Sequence, residues 1–176
     1  IKNISTVHWP IPFNCINWSY ISLSVKDVNL ILYGNADFKI DSSLKIISLN
    51  KNDASGKIVF SGGTLNNWKI VFNDKSKEFN NSTSRIDING YTGCVSFFDI
   101  KLLNISIESY NAQCEDALNF VRVKGSVQNL LVRNSYHDSV DADFSLIEFN
   151  LVDIQNSNND CIDFSNSIVK GKVFYA

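Results

Sequence analysis

Methionine is absent from this chain of 176 residues, and proline occurs only at Pro10 and Pro12. Without a methionine the sequence reads as a mature or excised segment of a longer protein. The scarcity of proline suits stacked strands, whose backbone N–H groups are nearly all needed in a hydrogen-bonded ladder. Absent too is any apolar run long enough to span a membrane, and no charged, apolar and small-residue leader opens the chain. The four cysteines, Cys15, Cys94, Cys114 and Cys161, form no C-x-x-C pair, which argues against a zinc ribbon or a thioredoxin-like centre. Gly62-Gly63 is not followed by the Gly-Lys-Ser/Thr of a phosphate loop. There is no dense basic run either. Residues 114–163 carry nine acids and three bases, and that acidic balance speaks against nucleic acid as a partner.

What is present is a repeat. Asp116-Ala-Leu-Asn, Asp138-Ser-Val-Asp and Asp160-Cys-Ile-Asp follow one another at intervals of 22 residues. A short fixed period marks a stacked architecture, in which each unit buries its apolar face only when a neighbour covers it. Leu118, Val140 and Ile162 share one phase, with Asn119, Asp141 and Asp163 beside them, and this period of two predicts strands with the first set inward and the second outward. A second run recurs at the same offset, Leu130 to Ser135 and Val152 to Ser157. The expected fold is therefore all-β, a single right-handed parallel β-helix with rungs of about 22 residues. At this period the chain has room for roughly seven or eight rungs.

Residues 1–25 break the pattern around His8-Trp9-Pro10-Ile11-Pro12-Phe13 and are expected to form an irregular N-terminal cap. Residues 26–176 are expected to form the helix, with Val28–Tyr33, Leu44–Leu49, Lys57–Phe60 and Trp68–Phe72 as early rung strands. The polar stretch Asn73 to Arg85 reads as a protruding loop. The last strand, Ile168 to Phe174, has no cap after it, so continuation beyond Ala176 is expected. Cys94 and Cys114 lie about one repeat apart; a disulfide and two buried thiols both fit. Asn134 and Asn156 are expected to stack as an Asn ladder in a turn.

The repeats, read as Glu115-Asp-Ala-Leu-Asn119, Asp138 to Ser145 and Asn159 to Ser167, resemble rungs of the pectate-lyase-like superfamily, and most of all its bacterial surface β-helix domains. Asn66-Asn67-Trp68 and Gly93 to Phe97 extend the likeness to roughly residues 55–170. Asp138-Ser-Val-Asp141 and Asn159-Asp160-Cys161-Ile162 are also similar to polygalacturonase motifs that place catalytic carboxylates on adjacent rungs. Here Asn159 and Ser139 depart from those motifs, and the later Gly-His-Gly and Arg-Ile-Lys motifs are missing.

These residues yield several expectations about function. Asp138, Asp141, Asp160 and Asp163 are the candidate catalytic carboxylates, since neighbouring rungs about 4.8 Å apart bring pairs into the range that glycosidases use. Tyr136, His137, Arg122 and Asp143 are the candidate substrate-binding residues, His137 as a proton shuttle and Tyr136, with Tyr110, as a stacking platform. Arg122, Lys124 or Arg133 could supply a base for lyase chemistry. No cofactor is required; the one that the stripe would suit is calcium, held by Asp141, Asp143 and Asp163. Against both readings, Asp and Asn at sharp bends commonly brace turns by bonding backbone N–H groups. The leading expectation is a non-catalytic surface or fibre domain that presents a rigid face to a polysaccharide or a surface protein, outside the cell or on its surface. A polysaccharide hydrolase, lyase or epimerase is the alternative, and a filament subunit that self-associates through its ends or faces is a third.

Overall fold

The computed structural model describes residues 20–76 and 90–175. Four strands come first: β1 (Tyr20–Val25), β2 (Val28–Tyr33), β3 (Ala36–Asp41) and β4 (Ile46–Lys51). Only Lys26 and Asp27 separate β1 from β2, and Lys26 turns with φ 59°. A two-residue link reverses the chain, whereas a parallel neighbour needs a crossover of a dozen residues or more. β1 and β2 accordingly pair antiparallel, as do β3 and β4. The β3–β4 bend is held by Asp41, whose Oδ1 accepts from the backbone N–H groups of Ser43 and Leu44, both at 3.0 Å. The expectation of a rung strand is thus corrected at Val28–Tyr33, where β2 meets β5 antiparallel as well; at Leu44–Leu49 it holds on one side, because β4 joins the parallel ladder against β7. Of the proposed cap, residues 1–19 lie outside the described residues; Tyr20–Val25 is a regular strand outside the parallel stack.

From β5 onward the chain coils. Each turn places one strand on a first sheet and one on a second: β5 (Lys57–Ser61) with β6 (Thr64–Asn66) and β7 (Lys69–Asp74); β8 (Gly93–Phe98) with β9 (Lys101–Tyr110); β10 (Asp116–Val121) with β11 (Lys124–Ser135). β12 (Asp138–Asp143) with β13 (Leu146–Ser157) and β14 (Asp163–Ser165) with β15 (Ile168–Tyr175) complete five coils among the described residues. The sheet orders β1-β2-β5-β8-β10-β12-β14 and β15-β13-β11-β9-β7-β4-β3 describe a right-handed parallel β-helix. Register follows the repeat, with Leu118 opposite Val140 and Asn119 opposite Asp141. One step is longer. Ile58 pairs with Val95, 37 residues on, against 23 from Val95 to Leu118. The excess falls between β7 and β8, where the polar loop was expected; residues 77–89 of it lie outside the described residues.

The core lies between the two sheets. Phe60, Phe97 and Phe120 stack with centroids 5.1 and 4.9 Å apart and planes within 9°. Ala142 interrupts that column before Phe164, which is largely exposed on the last coil, and Phe149 from the opposite sheet meets Phe120 edge-on at 5.9 Å. Val140 is fully buried, as its phase demands, while Ile162 on the last coil is only partly covered. At the corners the chain bends through left-handed residues in columns. Asn111, Asn134 and Asn156 have φ of 59–61°, which asparagine tolerates better than most side chains. Their amides form the expected ladder: Asn156 Nδ2 donates to Asn134 Oδ1 and Asn134 Nδ2 to Asn111 Oδ1, both at 2.9 Å. Gly125, near the start of β11 where the register against β9 shifts, leaves no room for a side chain, with φ 127° and Leu102 O 1.8 Å from where a Cβ would stand.

Candidate functional site

The acidic stripe occupies the first sheet. Asp141 lies beside Asp163 in the parallel register, with Asn119 on its other side and Asp143 two residues along the same face. Burial deepens from one end to the other: Asp163 is exposed, Asp141 and Asp143 are half-buried and Asn119 is buried. Asn119 Nδ2 donates to Asp141 Oδ2 at 2.8 Å and fixes that carboxyl. Burial is the main force raising the Asp141 pKa, to about 6, with the charges of Asp143 and Asp163 adding to it and the Asn119 bond opposing it. Asp143 is raised by burial and by Asp163. The stripe therefore joins a carboxyl that holds its proton into the mildly acidic range to an exposed carboxylate one rung away.

Asp138 and Asp160 have other surroundings. Asp138 opens β12 rather than preceding it, is buried, and its Oδ1 accepts from Asn159 Nδ2 at 2.7 Å and from the Asp160 N–H at 2.9 Å. This is the turn-bracing role, spanning two successive rungs. Asp160 sits exposed at the next corner, and Ser139 N donates to its backbone oxygen at 2.9 Å. His137 is beside Asp138, its Nδ1 3.3 Å from Asp138 Oδ1 and 3.4 Å from Glu115 Oε1. Tyr136 is half-buried at the same corner, where its N–H donates to Ala112 O at 2.8 Å.

Arg122 is not part of that corner. It follows β10 at the opposite end of the first sheet, where its Nε and Nη2 each donate to Asp99 at 2.7 Å. It lines an open groove of about 670 Å³ with Lys101, Lys124 and Phe144. Arg133 is also engaged, since its Nη2 donates to Asp153 at 2.6 Å. Neither is placed as a free base against Asp141.

The calcium set fares differently from its expectation. Among the described residues, Asp141, Asp143 and Asp163 do not converge as three ligand atoms within 4.8 Å of one another; Glu115, His137 and Asp138 do. Asp74, Cys94 and Cys114 converge as well, but the two sulfurs form a disulfide and offer no thiolate. No family model, curated protein or solved structure matches this chain. Its reading rests on its own residues. Among the described residues no helix is long and apolar enough to cross a membrane.

Two features escaped the sequence. Lys51 and Asp74 form an ion pair of 2.7 Å with side chains 1% and 0% exposed, joining β4 to β7 next to the disulfide. A lone Lys in an apolar strand carries no mark of burial. Glu115 was the other omission, although its distance from His137 is one 22-residue period and would have revealed the contact.

Proposed function

We propose that this β-helix is a polysaccharide-active enzyme, a glycoside hydrolase whose general acid is Asp141 and whose partner carboxylate is Asp163. The observation that carries the reading is the register, which sets Asp141 and Asp163 side by side on adjacent rungs of one outward face. Strands in a ladder lie about 4.8 Å apart, and paired glycosidase carboxyls stand roughly 5–10 Å apart. Asp141 is held by Asn119 and half-buried, as a proton donor to a leaving oxygen should be; Asp163 is exposed, free to act on water or on the anomeric carbon. The fold supports a rigid extended face, and the stripe adds chemistry that a purely adhesive surface does not need. Reducing-sugar release from a panel of neutral and acidic polysaccharides tests the proposal. Turnover is expected to disappear in both Asp141→Asn and Asp163→Asn. A chain that releases nothing from the panel yet binds one of its members is instead a carbohydrate-binding module.

A second reading, such a non-catalytic module, draws on the groove at the far corner. Lys101 and Lys124 stack in register there beside Arg122, with Phe144 60% exposed as an apolar platform. Such a surface suits a sugar chain, with the rings on Phe144 and any anionic groups on the lysines. An extracellular or surface location belongs with either reading.

A further inference from the structure

One corner of the first sheet brings together a glutamate, a histidine and an aspartate; Asp138 braces the next rung, but bracing does not account for His137 set between it and Glu115. We propose that Glu115, His137 and Asp138 form a binding site for a divalent transition-metal ion of the zinc class. One ligand atom from each lies within 4.8 Å of the others, and Glu115 and Asp138 are 7% and 4% exposed. His137 Nδ1 is shielded from solvent and makes no hydrogen bond, although it faces Glu115 Oε1 at 3.4 Å and Asp138 Oδ1 at 3.3 Å. Charge-assisted N–H···O bonds are shorter, about 2.7–2.9 Å. Zinc binds imidazole nitrogen and carboxylate oxygen at about 2.1 Å, and two tetrahedral ligands at that radius are about 3.4 Å apart. The observed separations match that edge.

A second observation points the same way. Asp116 is 2% exposed and pairs in register with Asp138, yet its Oδ2 is buried without a hydrogen-bond partner. Thr92 bonds that carboxyl, and a cation beside Glu115 and Asp138 would satisfy the oxygen that is left. The outer shell is in place, because Asn159 and the Asp160 N–H bond Asp138 Oδ1 and orient it. Three protein ligands leave a fourth position for water, on the side where His137 is 36% exposed. A nitrogen among so few ligands favours zinc over calcium, which takes six to eight oxygens. The site goes beyond the acid–base pair and does not depend on it.

The full chain, stripped with chelator, is titrated with Zn²⁺ by calorimetry and with Co²⁺ by visible absorption. The expected result is one saturable equivalent of Zn²⁺ and the intense visible bands of four-coordinate Co²⁺. His137→Ala and Glu115→Gln each weaken binding roughly a hundredfold or more, while both melt like the parent in chelator. Cys161, the free thiol among the described residues, is the control, and Cys161→Ser leaves binding intact. Absence of saturable binding overturns the assignment. So does binding that survives both His137→Ala and Glu115→Gln, or that is lost in Cys161→Ser. If His137→Ala fails to fold, Glu115→Gln alone decides.

Discussion

Replacing Lys51 with methionine removes an ammonium from a place that water does not reach. Its Nζ donates to Asp74 Oδ2 at 2.7 Å, to Ser76 Oγ at 3.2 Å and to Gln113 O at 3.2 Å. Asp74 in turn accepts the N–H of Gln113 at 2.8 Å and of Ser76 at 2.9 Å. Lys51→Met keeps those last two bonds but strands a carboxylate at 0% exposure without its counter-charge. Losing one partner of a buried pair costs about 3–5 kcal/mol. For a chain of this size that is a fall in melting temperature of roughly 6–20 °C. Asp74→Asn is expected to lose a similar amount. The double variant should lose at least about 1 kcal/mol less than the two single losses added together, because the stranded charge is then gone. Urea unfolding followed by circular dichroism and by tryptophan fluorescence, to which Trp68, 4% exposed in the same part of the stack, contributes, measures all three. A single-variant loss under about 1 kcal/mol, or strict additivity in the double, would show that this pair does not hold β4 to the coil.

Val140→Asp puts an unpaired carboxylate between Leu118 and Ile162 and is expected to cost several kcal/mol in the same unfolding experiment; an unchanged midpoint would mean that this column does not face inward. Gly125→Ala drives a Cβ against Leu102 O and should lower the melting temperature even though it adds only a methyl group. Reduction of Cys94–Cys114, a loop of 20 residues by sequence separation, should remove roughly 3 kcal/mol, read as a shift of the urea midpoint with and without reductant. Asp141 and Asp143 are raised in the fold, so between about pH 4 and pH 6 the folded chain holds more protons than the unfolded one. Their contribution to stability is complete below the ordinary carboxylate range and fades as pH rises through about 6; melts in chelator at pH 5 and pH 7.5 should show the difference, smaller in Asp141→Asn. Any glycosidic activity should fall along the same limb near pH 6, as Asp141 gives up the proton it is to donate.

The repeat by itself determined the coil. An alternation of two fixes which side chains face inward, and a constant 22-residue step sets like residues on top of one another, so Leu118 over Val140, Asn119 over Asp141 and the Asn134–Asn156 ladder all follow from spacing. Nearest neighbours in a solenoid are one period apart, which is why these contacts were legible. Tertiary structure decided what the period does not encode. The reversals of β1 onto β2 and of β3 onto β4 depended on turn length, because links of two and four residues can reverse a strand but cannot carry it around a rung. The Lys51–Asp74 pair depended on burial, and Lys51 reaches Gln113, 62 positions away, at the corner after β9, where Asp74 accepts from both of them. The five aspartates look alike in the sequence and differ in the fold. Asp138 is taken inside at a corner to bond the next rung, Asp141 and Asp143 are half-covered, and Asp160 and Asp163 remain in water on the last coil, where no further rung covers them among the described residues. Depth within the stack, rather than residue type, separates a brace from an acid.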